Sequence, residues 1–338
     1  MGKRLNSNDH TAVLKWAECF LHEPSTFGTL VRKNCLNLKA TFEDSLKEYF
    51  RLCCLARSKS AVLELSESAN TLIFKVRTKI EKEIATLLEG LEESSDLDPS
   101  MLYKNNFYGF SKKQGTSLRM PLSSCMPTAL CAGGCYAHDV LDATPAAVIR
   151  GVVNGHIAKS YEQGDKSIRA CIMDCLKPHT RKAVSNSKKE LKELPIGFKR
   201  RAYIRFSHVG EVANFPDFAN ALAKQVRTES RKTVDCVIYT RHKNAKLLDP
   251  ELWVMNFTLD PVSLKREAWV PKEARIVYSA FGGVTSSIAE VNFLEHHRHE
   301  HLAGTKGDGR ICPATKPETI ERTCDACRCN KCFVKPNN

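Results

Sequence analysis

Residues 202–240, AYIRFSHVGEVANFPDFANALAKQVRTESRKTVDCVIYT, decide the fold. AYIRF (202–206) and DCVIYT (235–240) are rich in Ile, Val, Tyr and Phe, the composition of strands. Between them, Phe218, Leu222 and Val226 recur at the spacing of one helical face. Strand, helix, strand with short connections makes a parallel βα unit, because a parallel pair needs a crossover long enough to carry a helix. The same signature continues in LWVMNF (252–257) and ARIVYS (274–279), and TSLRMPL (116–122) reads as a first strand. The fold class is therefore α/β. In such sheets the reactive groups lie beyond the C-terminal ends of the strands.

Those ends carry chemistry. AYIRF runs into SHVGE, placing Glu211 after Gly210 in a sharp turn, where a carboxylate could receive a ligand's ammonium group. Tyr239 is the penultimate residue of the next strand, which Arg241 and His242 follow; Asp260 follows LWVMNF, and the turn FGGVTSS follows ARIVYS. Singly, each is an ordinary cap or turn residue.

The loop after the first expected strand is SSCMPTALCAGGCYAHD, in which Cys125, Cys131 and Cys135 fall within eleven residues. Three thiolates can hold three irons of a four-iron cluster and leave the fourth open to bind a reactant. Gly133 and Gly134 let the backbone wrap closely. Two alternatives remain open on spacing alone: buried inert thiols, or zinc completed by a distant ligand such as His138.

A second cysteine group closes the chain, CPATKPETIERTCDACRCNKC. Cys312, Cys324, Cys327 and Cys332 suit four-thiolate zinc or an auxiliary cluster, with Cys329 surplus because C-x-C is tighter than the usual C-x2-C knuckle. Upstream, EHHRHEH offers His297 and His299 as a metal-binding pair, although the Arg between them departs from the hydrophobic residue found in nicking enzymes.

The chain has 338 residues, 42% hydrophobic, with a formal charge of +13. Residues 1–120 carry 18 Lys and Arg against 15 Asp and Glu, and the remainder carries 33 against 23, so the excess belongs to the cysteine-bearing part. It is densest at 177–201, with nine basic and two acidic side chains. Lys188, Lys189, Arg200 and Arg201 are candidates to attract a phosphate backbone, and a place near the reactive rim is expected for them. Fifteen cysteines without a secretory signal or an 18-residue apolar run point to a reduced, cytoplasmic protein with no membrane span.

The first hundred residues read as helical, with helices expected at 41–58 and 68–95 and a linker at EESSDLDPS (92–100). The expected organisation is a helical region at 1–100, a βα region with the cysteine loop at 101–300 and a metal-binding tail at 301–338.

Taken together, SCMPTALCAGGCYA, IRFSHVGEVANFPDF, VIYTRHKNAK, NFTLD and the cysteine tail resemble the gene product eighty-eight family of phage and mobile-element proteins. The resemblance covers roughly residues 115–332. That family is similar to radical S-adenosylmethionine proteins, whose cluster loop follows the first strand of a partial (β/α) barrel and ends in a Cys-aromatic step, as Cys135–Tyr136 does. The usual C-x3-C-x2-C loop is shorter at both gaps than the C-x5-C-x3-C found here. The resemblance implies a partial barrel, an iron–sulfur cluster on Cys125, Cys131 and Cys135, and S-adenosylmethionine with its amino group on Glu211. Rim residues such as Arg241 would position the substrate, with nucleic acid as partner. Two competing readings are a replication initiator that nicks DNA through Tyr239, and a metal-stapled nucleic-acid-binding module without catalysis.

Overall fold

The computed structural model describes residues 107–111, 115–133, 135, 145–193, 201–281 and 286–295, with individual positions between 74 and 103. The chain divides into two compact units. One comprises 1–105, 121–123 and 127–156, and the other 106–120, 124–126 and 157–338.

In the second unit, seven strands among the described residues form one sheet in chain order. They are β1 (Tyr108–Ser111), β2 (Gly115–Arg119), β3 (Ala202–Val209), β4 (Val234–Thr240), β5 (Trp253–Leu259), β6 (Arg275–Phe281) and β7 (Val291–Glu295). β1 and β2 form an antiparallel hairpin, and every pairing from β2 to β7 is parallel. Gly115, which opens β2, has φ +70°, a backbone conformation that favours glycine.

The helices in chain order are α1 (Ala129–Gly133), α2 (Pro145–Gln163), α3 (Lys166–Lys192) and α4 (Pro216–Ser230). Asp165 caps α3, its carboxylate accepting the N–H groups of Ser167 and Ile168 at 2.8 and 2.9 Å. Along α3 the buried stripe is Ile172, Leu176, Thr180, Ala183, Val184 and Ser187, and Ser187 donates to the Tyr203 carbonyl at 2.6 Å. In α4 the expected Phe218, Leu222 and Val226 are all fully buried. Beneath these helices lies an aromatic core: Phe206 meets Trp253 edge-to-face at 5.0 Å and Tyr108 at 6.2 Å.

All four strands expected from composition form, and β2 stops at Arg119, two residues before Pro121. The edge strands β1 and β7 and the long helices α2 and α3 were not expected. In α2, residues 151–158 are buried without a break, so no polar face marks its period.

In the first unit, the described positions from 74 to 93 are helical, as the reading of 68–95 expected. The buried stripe is Phe74, Arg77, Glu81, Ile84 and Leu88. It therefore includes a charged pair, Arg77 Nε to Glu81 Oε1 at 2.9 Å, and the second carboxylate oxygen accepts the Ser123 N–H at 2.8 Å. Apolar periodicity cannot register such a pair. The expected helix at 41–58 and the tail at 301–338 lie outside the described residues.

Phe206→Ala should cost roughly 3–5 kcal/mol, the range for emptying a buried aromatic site. Urea denaturation checks this, and a loss under about 1 kcal/mol would mean the aromatic core is not where the sheet is anchored.

Candidate active site

Because β2 to β6 are parallel and adjacent in chain order, their C-terminal ends share one edge of the sheet. β3 leaves that edge through Gly210, at φ +72°, and the turn delivers Glu211, which is 5% exposed. Its carboxylate accepts the Ala213 N–H at 3.2 Å, and the Thr240 hydroxyl and the Arg241 N–H also donate to it. Burial outweighs these donors and pushes Glu211 up to about 7. The Arg241 charge does little to hold it down, because that guanidinium is committed to Asp260 at 2.7 Å. Asp260 is fully buried, and its other oxygen accepts the N–H groups of Val262 and Ser263 at 3.1 and 2.9 Å. Beside them His242 is driven down to about 4 by burial, while its Nδ1 accepts the Asn244 N–H. It is a neutral turn cap.

The start of the cysteine loop is fastened to this rim. Ser124 Oγ accepts the Glu211 N–H at 2.8 Å, and the Met126 carbonyl accepts from Arg266 at 2.8 Å. Cys125 lies between these tethers and is half-buried. Next to them the Met120 N–H donates to the Val209 carbonyl at 2.8 Å. Arg119 donates to His208 Nε2 at 3.1 Å, and His208 Nδ1 donates to the Leu118 carbonyl at 3.0 Å. The two partners fix the histidine tautomer.

In the first unit, Thr128 caps α1, its hydroxyl accepting the Cys131 N–H at 3.1 Å. Cys131 and Cys135 are half-buried, and neither they nor Cys125 form a disulfide. Among the described residues, no three or more His, Cys, Asp or Glu side chains are arranged to hold a metal ion. Tyr136, Arg200, His297, His299 and the cysteines Cys312, Cys324, Cys327 and Cys332 lie outside the described residues.

Tyr239 is on the face of the sheet opposite α3 and α4, with the Arg205 guanidinium 4.4 Å above its ring and Phe293 at 6.1 Å. Register shows what else shares this face. Ser117 pairs with Arg205, Arg205 with Val237 and Val237 with Val254. Tyr239 pairs with Asn256 and Asn256 with Arg275. Thr258 pairs with Val277, and Ser279 with Phe293. This face mixes those polar residues with the buried Tyr203, Val237, Val254, Val277 and Val291.

Lys188 and Lys189 sit in the last turns of α3, which runs antiparallel to the strands. Glu190, next to them, accepts the Thr116 N–H at 3.0 Å, at the beginning of β2. Arg201, immediately before β3, pairs with Asp235 at 3.1 Å. These basic residues therefore lie at the starting edge of the strands and not at the rim, which corrects the placement expected from sequence. The reason is the crossover itself: a helix that returns the chain ends at the edge where the next strand starts.

Sequence reading located Glu211, Arg241 and Tyr239 but missed Ser124, Thr240, Arg266, Arg205 and Ser117. The one signal for the last two was their position in strands, polar where apolar residues alternate with them. A pocket of about 420 Å³ at the α2–α3 corner is lined by Tyr161, Lys166 and Arg169 among others. Arg169 is engaged there by the Gly164 and Glu162 carbonyls and by Asp217. Comparison of the chain with protein-family models, with curated proteins and with solved structures finds no match.

Raising Glu211 from its ordinary 4.5 to about 7 makes the folded state hold the proton more tightly than the unfolded chain. Its contribution to stability is intact below about 4.5 and is lost as pH rises through about 7. The unfolding free energy of the wild type relative to Glu211→Gln should accordingly fall by roughly 2–4 kcal/mol between pH 4.5 and 8. Denaturant titrations across that range check it, and a flat difference would mean that Glu211 ionises like an exposed carboxylate.

Proposed function

We propose that this chain is an iron–sulfur protein of the radical S-adenosylmethionine type, with Cys125, Cys131 and Cys135 as cluster ligands and Glu211 as the acceptor of the ligand's ammonium group. The observation that supports the reading is the hydrogen bond from the Glu211 N–H to Ser124 Oγ, which joins the residue preceding Cys125 to the backbone of a buried glutamate. A sheet whose parallel strands follow one another in chain order supports the partial barrel, since such a sheet is the open form of a (β/α) barrel.

The donor set suits a cluster in kind: three reduced thiols of intermediate exposure, two of them flanking Gly133 and Gly134. Among the described residues no three such ligands already stand together, and metal sites commonly organise their ligands as they bind. When bound, the cluster supplies a single electron and an open iron position. Glu211 is poised for a cation because burial leaves its charge uncompensated, and an arriving ammonium favours its ionised form. Thr240 and the N–H groups of Ala213 and Arg241 hold the carboxylate in place. Arg241, locked to Asp260, acts by shaping the rim.

The tail cysteines are assigned zinc or a second cluster. Nucleic acid is the proposed partner of the basic end of α3. Tyr239 lies beneath Arg205 on the sheet face, an arrangement that favours a binding role over nicking.

Anaerobically reconstituted wild type should hold about four irons in this loop and absorb in the visible. The Cys125, Cys131 and Cys135 triple alanine variant should lose both. Recovery of zinc alone from the wild type would overturn the assignment. Binding of S-adenosylmethionine should tighten as pH rises towards 7, by up to about tenfold per unit, and Glu211→Gln should abolish that dependence. Equal pH dependence in the two proteins would remove Glu211 from the ligand.

Nucleic-acid affinity, if it resides on α3, should fall with salt at a log–log slope of about 0.9 per duplex phosphate contact. Reversing Lys188 and Lys189 to Glu should flatten that slope in anisotropy titrations. An unchanged slope would make this end of the helix a solvated face.

A further inference from the structure

Free cysteine is among the most buried residue types, so an exposed thiol pair on a helix departs from the usual use of the residue. α3 carries two cysteines one turn apart, Cys171 and Cys175, outside both the loop at 125–135 and the tail. Cys171 is exposed and Cys175 half-buried, and neither belongs to the inward stripe that runs from Ile172 to Ser187. Positions four apart lie on one face of a helix. There the side chains meet: the two thiols share a hydrogen bond. Burial first, then Cys171 and the Asp174 charge, holds the Cys175 thiol above its ordinary range, so in the absence of a cation the pair stays protonated.

What such a pair can do follows from reach. Cβ atoms at i and i+4 stand about 5–6 Å apart, whereas a disulfide requires about 3.5–4.5 Å, so oxidation would have to distort the helix. Two metal–thiolate bonds of about 2.3 Å each, set in line, bridge a wider gap and leave the backbone where it is. Donor number and softness then select the ion. The described residues supply two thiols here and no third His, Cys, Asp or Glu positioned to complete a site, which leaves zinc two ligands short of its tetrahedron. A soft monovalent ion such as Cu(I) is satisfied by two thiolates in line, and thiolate donors select it.

We propose that Cys171 and Cys175 form a two-thiolate site for a soft monovalent metal ion of the Cu(I) class, held across one turn of α3. Binding exchanges ligands and transfers no electron: two S–H bonds are lost, two metal–sulfur bonds form, and two protons leave to solvent. The site uses none of the cysteines assigned to the iron–sulfur cluster.

The test resolves individual residues, because the chain has fifteen cysteines. The full chain, reduced and kept anaerobic, is titrated with Cu(I) buffered by bicinchoninate and alkylated with N-ethylmaleimide. Peptide mass spectrometry then gives the alkylation of each cysteine. Cys171 and Cys175 should become protected together along one saturable curve. Cys171→Ser should weaken protection of Cys175 at least about tenfold in Cu(I), and Cys175→Ser should do the same to Cys171, since each sulfur raises the other's effective concentration. Circular dichroism should match the wild type in both variants, because the two positions lie outside the inward stripe. Zn(II) at the same free concentration should leave both thiols open. Alkylation unaffected by Cu(I), or protection of either cysteine that survives serine at the other, would overturn the site. Equal protection by Zn(II) would overturn the two-coordinate assignment, and protection without metal that dithiothreitol reverses would make the pair a disulfide instead. The Cys125, Cys131 and Cys135 triple alanine variant should bind Cu(I) at Cys171 and Cys175 as the wild type does, so this site and the cluster assignment fail separately.

Discussion

The register of the parallel ladder, taken in chain order, is the constraint from which the rest follows. A parallel neighbour can be reached only by returning the chain from one edge of the sheet to the other, and right-handed crossovers place the returning segments on the same face. α3 and α4 therefore share one side, where Phe206, Trp253, Phe218 and Leu222 exclude water. The opposite side carries Arg205, Tyr239 and Asn256 beside the buried Tyr203, Val237 and Val254. The same constraint collects the ends of β2 to β6 at one edge, so residues scattered from Ser124 to Arg266 meet although 87 and 140 positions separate the bonded pairs.

Electrostatics at that edge turn on which carboxylate Arg241 serves. It serves Asp260, which is fully buried and accepts two further N–H groups from its own turn, those of Val262 and Ser263. Glu211 is left with neutral donors. Three of them do not offset burial, and its ionisation moves up to about 7. Had the guanidinium faced Glu211, the direct ion pair would have held the carboxyl down and closed the site to a cation. The pairing choice is thus what leaves Glu211 raised and makes Asp260 a strut. His242 belongs with the strut: buried, driven down to about 4 and bonded to a backbone N–H, it cannot serve as a base near neutrality.

The four central strands and the phase of α4 were legible because β-branched and aromatic runs alternate with a clean 3.6-residue period. α2 was not, since burial along 151–158 erases the polar face that would reveal a helix. α3 was hidden for the opposite reason: its charges dominate the sequence while Thr180 and Ser187 stand among its inward residues. The short edge strands β1 and β7 carry four and five residues, too few for alternation to declare itself. At the rim, Glu211 was legible from the turn glycine before it. Ser124, Thr240 and Arg266 were not, because their roles come from partners far away in the chain. That Ser117 and Arg205 are neighbours emerges only from the register.

The two edges of the sheet also separate two kinds of recognition. β3 spans eight residues, about 25 Å at the usual rise, between Arg201 at the starting edge and Gly210 at the rim. The basic end of α3 therefore lies a strand's length from Glu211. The basic end of α3 and the Glu211 rim are thus separate regions of the sheet, so that a substitution at Lys188 or Lys189 leaves the hydrogen bonds around Glu211 in place.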